Sequence, residues 1–119
     1  MRWVDRLEPM WWALFSAGGM VAALLIPVHI FLNNVAVPLG WISANATAYT
    51  AMSRMVGNPL VKVYLVVLLV PTLFHVAHRL GFLPQEFQVP ISRHSVGPMA
   101  YLLAGALAIA SIVIVVLAP

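Results

Sequence analysis

Apolar residues run almost unbroken through three long stretches of this chain, about 10–39, 60–79 and 96–117, and polar residues collect before and between them. A helix crossing ~30 Å of hydrocarbon needs roughly 20 mostly apolar residues. Each stretch is long enough for one such helix, the second only when carried to about 79. The pattern predicts an all-α integral membrane protein with three transmembrane helices, a single membrane domain over 1–119, and loops at 40–58 and 79–96.

Irregularities inside the stretches carry more information than their average. Pro27 removes a backbone hydrogen bond from the first helix and clashes with the preceding turn, so a kink is expected near the carbonyl of Ala23. Pro71 does the same in the second helix and frees the carbonyl of Val67. Gly18 and Gly19, behind Ala17, allow another helix to approach closely, and Ala100, Ala104 and Ala108 form a ladder of small residues on the third helix. These faces suit packing within a three-helix bundle and docking of a second membrane protein equally well.

Composition agrees with the pattern: 63% of residues are hydrophobic and 8% charged, with a mean hydropathy of +1.00. A water-soluble domain of this size does not carry such values, and the loops are too short to enclose an aqueous core of their own. Soluble chemistry is therefore expected on partner chains. The net charge of +3 comes from six basic residues placed singly at span ends, which is not a nucleic-acid footprint. Arg2, Arg6, Arg79 and Arg93 flank one side and Arg54 and Lys62 the other. The positive-inside rule then places the amino terminus and the 79–96 loop in the cytoplasm, with the carboxyl terminus outside. Trp3, Trp11 and Trp12 at one end of the first span and Trp41 at the other suit an aromatic belt at the lipid headgroups. A cleavable signal peptide is not expected: the first apolar stretch is about twice the usual length, and Asp5 and Glu8 interrupt the leader. Cysteine is absent, which excludes disulfides and thiolate ligands from this chain.

Depth brings the remaining polar residues together. His75, His78 and Arg79 stand at i, i+3 and i+4 near the cytoplasmic end of the second helix. The first helix begins at the same surface, so Trp12 lies level with His78 and Arg79, and Ser16 one turn deeper. Arg79 could simply snorkel to lipid phosphate and the tryptophans could be belt residues. The sharper reading is a quinone site, which requires hydrogen-bond donors for two carbonyls, a flat aromatic wall and an apolar mouth open to lipid.

Residues 9–20, Pro-Met-Trp-Trp-Ala-Leu-Phe-Ser-Ala-Gly-Gly-Met, followed by Pro27-Val28 and Pro38-Leu39-Gly40, resemble the first helix of the smaller membrane anchor, the D subunit, of bacterial quinol:fumarate reductase. Pro71 followed by His78-Arg79 is similar to its second helix, while the third span agrees only in type. The resemblance implies a non-catalytic subunit in the bacterial inner membrane. Together with a second membrane anchor, it would hold the flavoprotein and iron–sulfur subunits at the cytoplasmic face. It also implies that menaquinol is oxidised beside the iron–sulfur subunit, in a site containing Trp12, His78 and Arg79, with Ser16 and His75 as further candidates. Better-known members continue past the arginine with more histidines, whereas this chain reads Leu80-Gly81-Phe82-Leu83-Pro84. A proton relay through that turn is therefore not expected, and His75, ~6 Å from Arg79 along the helix, is the residue that could substitute in part.

A shared haem is not expected. His29 lies ~29 Å from the start of the first helix and His75 within ~10 Å of the cytoplasmic surface, so the two cannot hold one iron. Only a haem bound by one of them and by a partner-chain histidine stays open. His29 and Asn33, one turn apart, are expected to hydrogen-bond another helix, with a second quinone site near the outer face as the sharper alternative. The resemblance leaves an anchor of succinate dehydrogenase as the nearest other reading. A small transport or assembly component is the third, although no Asp, Glu, Lys or Arg lies in the middle of any span.

Overall fold

The computed structural model describes residues 2–119, with side chains from Pro9 onward except that of Arg93, so expectations resting on the side chains of Arg2, Trp3, Arg6 and Arg93 fall outside it. Its helices are α1 (Arg2–Phe31), α2 (Tyr49–Val56), α3 (Pro59–Glu86) and α4 (Arg93–Leu117). Three stretches among the described residues, Pro9–Ala36, Pro59–Glu86 and His94–Leu117, are long and apolar enough to cross a membrane.

The helix starts follow local chemistry. Asn58 accepts a hydrogen bond from the Leu60 N–H at 2.8 Å, and Pro59 occupies the first helical position, where its missing N–H costs nothing. Ser92 accepts from the His94 N–H at 3.2 Å and opens α4 in the same way.

Two ends differ from the hydropathy pattern. α3 does not stop at Arg79 but continues through Pro84 to Glu86, about two further turns. Pro84 deprives only one carbonyl of its partner this close to the end, and the chain closes where Gln88 takes a left-handed φ of 54° and Val89 N–H donates to the Pro84 carbonyl at 2.8 Å. His78 and Arg79 are therefore interior to the helix rather than its terminus. At the other correction, α1 gives way after Phe31 to a π-helical stretch, Leu32–Ala36, in which Val37 N–H reaches back five residues to Leu32 at 3.1 Å. Side-chain amides of Asn33 and Asn34 donate to the carbonyls of His29 and Ile30 at 2.9 and 3.1 Å. They supply carbonyls that the wider ladder leaves short, just before Pro38, which has no N–H to give. Asn33 thus bonds its own helix, whereas His29 does reach another one, meeting the Tyr64 hydroxyl of α3 at 3.1 Å. The expected 40–58 loop contains a 3₁₀ turn, Ala44–Thr47, and α2.

α3 lies between α1 and α4 and packs on both. A Cβ on Gly18 would collide with the carbonyl oxygen of Pro71, and one on Gly19 would stand 2.7 Å from the His75 ring. The two glycines serve contact within this chain, bringing α1 directly onto the proline turn of α3. On α4, Gly97, Tyr101, Ala104, Ala108 and Val115 recur at coiled-coil spacing; the last three are buried, and a Cβ on Gly81 of α3 would come within 3.3 Å of Gly97. The alanine ladder is likewise internal, although Ala100 is only half-buried. At the far end Lys62 reaches from the first turn of α3 to the carbonyls of Val116 and Ala118, at 3.0 and 2.7 Å, capping the C-terminus of α4 with a cation.

Most apolar surface faces outward. No more than 6% of the spanning window of α1 or α3, and 17% of that of α4, is buried. Surface of this kind is stable only under lipid or other membrane subunits.

Candidate functional site

One corner of the molecule gathers aromatic and titratable side chains from α1, α3 and α4. Trp11, Trp12 and Phe15 come from α1, Phe74, His75, His78 and Phe82 from α3, and Tyr101 from α4. The start of α1, the later part of α3 and the start of α4 share this end because the three spans run alternately up and down.

Phe15 is the hub. Its ring stacks on His75 with centroids 4.5 Å apart and planes 7° from parallel, and it lies 4.4 Å from the ring of His78. Trp12 presents an edge to His78 at 5.3 Å while remaining 50% exposed, so one face of the corner is an aromatic wall open at the protein surface. Trp11 takes the other flank, with Tyr101 at 5.5 Å and Phe74 at 6.3 Å. The two adjacent tryptophans therefore have different surroundings, and only Trp12 contacts His78.

The histidines differ in what holds them. His75 Nδ1 donates to the Phe15 carbonyl oxygen at 2.9 Å, across the helix contact opened by Gly18 and Gly19. A carbonyl only accepts, so the proton of His75 is fixed on Nδ1. His78 Nδ1 lies 2.6 Å from the Tyr101 hydroxyl, a group that both donates and accepts. Arg79, one residue on, turns the other way: its fork pairs with both oxygens of Glu86, at 3.0 and 3.3 Å, two turns farther along α3. The pair is exposed, with side-chain exposures of 53% and 44%. Ser16 is exposed on α1.

The structure thus brings Trp12, His75 and His78 onto one aromatic hub, sets Arg79 beside them on a carboxylate, and leaves Ser16 at the edge. Sequence reasoning missed three partners. Phe15 lay within the quoted motif but carries no polar group, and Glu86 lay beyond the expected end of the helix. Tyr101 had a readable signal, since it falls between Gly97 and Ala104 on the small-residue face of α4. At the opposite end, His29 donates through Nδ1 to the Leu25 carbonyl at 2.7 Å and accepts from Tyr64 at Nε2. Tyr64 and His75 are ~16 Å apart along α3, so His29 and His75 do not converge. No cluster of three or more His, Cys, Asp or Glu forms among the described residues.

Three apolar spans with a polar aromatic corner at one end define a small polytopic membrane subunit. The sequence model of the fumarate reductase D-subunit family matches residues 4–117, and the chain belongs to that family. It is 49% identical over 75 residues to the fumarate reductase D subunit of Mycobacterium tuberculosis, a match covering 63% of this chain and 58% of that relative. The corresponding protein of Photobacterium profundum is 38% identical over 73 residues, 61% of each chain. That of Vibrio parahaemolyticus is 35% identical over 72 residues, 60% of this chain and 58% of the relative. The matched stretch therefore spans about three fifths of the length of these curated relatives.

Proposed function

We propose that this chain is a membrane anchor of a fumarate reductase complex in the bacterial inner membrane and that its aromatic corner helps to bind menaquinol. In this reading it works with a second membrane anchor to hold the flavoprotein and iron–sulfur subunits at the cytoplasmic face. Family membership supports the anchor role. The observation that carries the site is the contact of Trp12 with His78, two residues 66 positions apart in sequence that meet in a half-open aromatic wall. The donor set suits a quinol: an indole N–H, an imidazole and a guanidinium for its two oxygens, with ring faces for its flat head.

Each residue then has a chemical task. Arg79 exchanges its Glu86 partner for a quinol oxygen and stabilises the negative charge that develops there as the oxygen loses its proton. His78 orients that oxygen through a hydrogen bond from its imidazole. Trp12 closes one side of the site. His75, with its Nδ1 proton committed to a backbone carbonyl, clamps α1 to α3 and gives Phe15 its orientation. Quinol oxidation supplies two electrons, and this chain has no group to carry them, so they pass to the iron–sulfur subunit. No haem is assigned to this chain.

The test compares the adjacent tryptophans. Trp12→Leu should slow quinol-dependent fumarate reduction several-fold more than Trp11→Leu in membranes with equal bound flavin, because only Trp12 touches His78. Equal effects would reduce both residues to an interfacial belt and remove the site. Orientation is tested separately. With the amino terminus cytoplasmic, a periplasmic reporter fused after Pro119 should be active and one inserted at Gln88 inactive; the reverse pattern would put the corner on the wrong side of the membrane.

A further inference from the structure

Of the three histidines on the first two spans, two have Nδ1 on a backbone carbonyl, His29 on Leu25 at 2.7 Å and His75 on Phe15 at 2.9 Å. A carbonyl accepts and never donates, so those rings keep a proton on Nδ1 in every charge state. His78 is different, because its Nδ1 faces a hydroxyl at 2.6 Å. We propose that Tyr101, from the third membrane span, is a positioning residue of the quinol site that acts through His78 by setting which ring nitrogen carries the proton. The proposal rests on the quinol-binding reading above.

The geometry leaves Tyr101 little freedom to do otherwise. Its ring stands 5.5 Å from Trp11, 6.4 Å from Phe74 and 6.3 Å from His78, so aromatic neighbours from α1 and α3 flank it. One turn before it on α4, Gly97 lies against Gly81 of α3, where a Cβ on Gly81 would come within 3.3 Å of the Gly97 backbone. That close approach holds α4 near enough for the phenol to reach the imidazole. In a low-dielectric setting, parting the two groups would take from the Tyr101 hydroxyl its hydrogen bond to His78, which is costlier than in water.

The chemistry follows from the pair. Neutral imidazole is the better acceptor and phenol the better donor, so the Tyr101 O–H donates to Nδ1 and the ring proton sits on Nε2. His78 then presents an N–H donor from Nε2, the form that hydrogen-bonds a quinol or quinone oxygen. A carbonyl in that place would hold Nδ1–H permanently and leave Nε2 a bare acceptor in the neutral ring. Tyr101 thus gives His78 a neutral ring with its proton on Nε2, whereas the carbonyl partner of His75 fixes that proton on Nδ1.

The test uses the assembled complex in membranes, normalised to bound flavin, with Tyr101→Phe, His78→Leu and the double variant. Phenylalanine keeps the ring contacts and removes only the hydroxyl. Tyr101→Phe should lower kcat for quinol-dependent fumarate reduction about 2- to 10-fold, the range expected for one neutral hydrogen bond. KM should stay within about twofold, and fumarate reduction by reduced viologen should be unchanged. Because Tyr101 acts through His78, the double variant should be no slower than His78→Leu alone. A wild-type rate in Tyr101→Phe alongside an impaired His78→Leu would overturn the proposal, as would an additive loss in the double variant or a failure of Tyr101→Phe to assemble. A normal rate in His78→Leu is a separate result, which would overturn the quinol-site reading itself.

Discussion

Replacing Arg79 with leucine is expected to cut quinol-dependent fumarate reduction roughly 10- to 150-fold while leaving viologen-dependent reduction intact. A charge-assisted hydrogen bond contributes ~1.5 to 3 kcal/mol, which converts to that range if the bond operates in the rate-limiting step. Arg79→Lys should fall between the two, because lysine keeps the charge and loses the planar fork that now spans both oxygens of Glu86. The ion pair itself contributes little to stability, since both partners are about half exposed and an exposed pair typically adds well under ~1 kcal/mol. Glu86→Gln should therefore assemble normally, which shows that losing this pair is not what disables Arg79→Leu. Both activities are measured on membranes matched for flavin. An Arg79→Leu complex that oxidises quinol at the wild-type rate, or that loses both activities by failing to assemble, would make Arg79 structural.

Gly18→Leu is expected to remove both activities together. At this position the obstacle is the carbonyl oxygen of Pro71, a backbone atom that cannot rotate aside, so α1 must part from α3. Overpacking of this kind costs ~1 to 3 kcal/mol even where neighbours can adjust. It would also pull Phe15 and Trp12 away from His75 and His78, because the same helix contact carries the hydrogen bond from His75 to Phe15. Gly19→Ala should be milder, since it meets the edge of the movable His75 ring, at the cost of that ring's orientation. Gly105→Ala is the control: a Cβ there meets nothing within 4 Å. Flavin retained by washed membranes reads out assembly, and a Gly18→Leu complex that keeps its flavin would show that the α1–α3 contact is dispensable.

The two variants separate chemistry from architecture. Arg79 stands outside the packed contacts and should affect one reaction, whereas Gly18 lies inside them and should affect everything the anchor supports.

The sequence by itself determined the three spans, because burial in lipid imposes a length and hydropathy that a single chain displays openly. It also marked which faces allow close approach, because small residues let backbones come together, while the choice between packing within this chain and docking a second one came from the structure; and it set Trp12 level with His78, because rise per residue fixes depth. The end of α3 was not legible from hydropathy. Lipid favours apolar residues without saying where a helix must stop, and the stop lies in the turn around Gln88 rather than at the first arginine. Glu86 therefore entered the site only with the structure. Tertiary structure alone decided which partner each polar group takes: Arg79 on Glu86, His75 on the Phe15 carbonyl, His78 on Tyr101, Asn33 on its own helix. Those pairings depend on the rotation of each helix about its axis, and that rotation is set by contacts such as Gly18 on Pro71 and Gly81 on Gly97. A linear pattern lists the residues on each face but does not fix which facing residue lies within 3 Å.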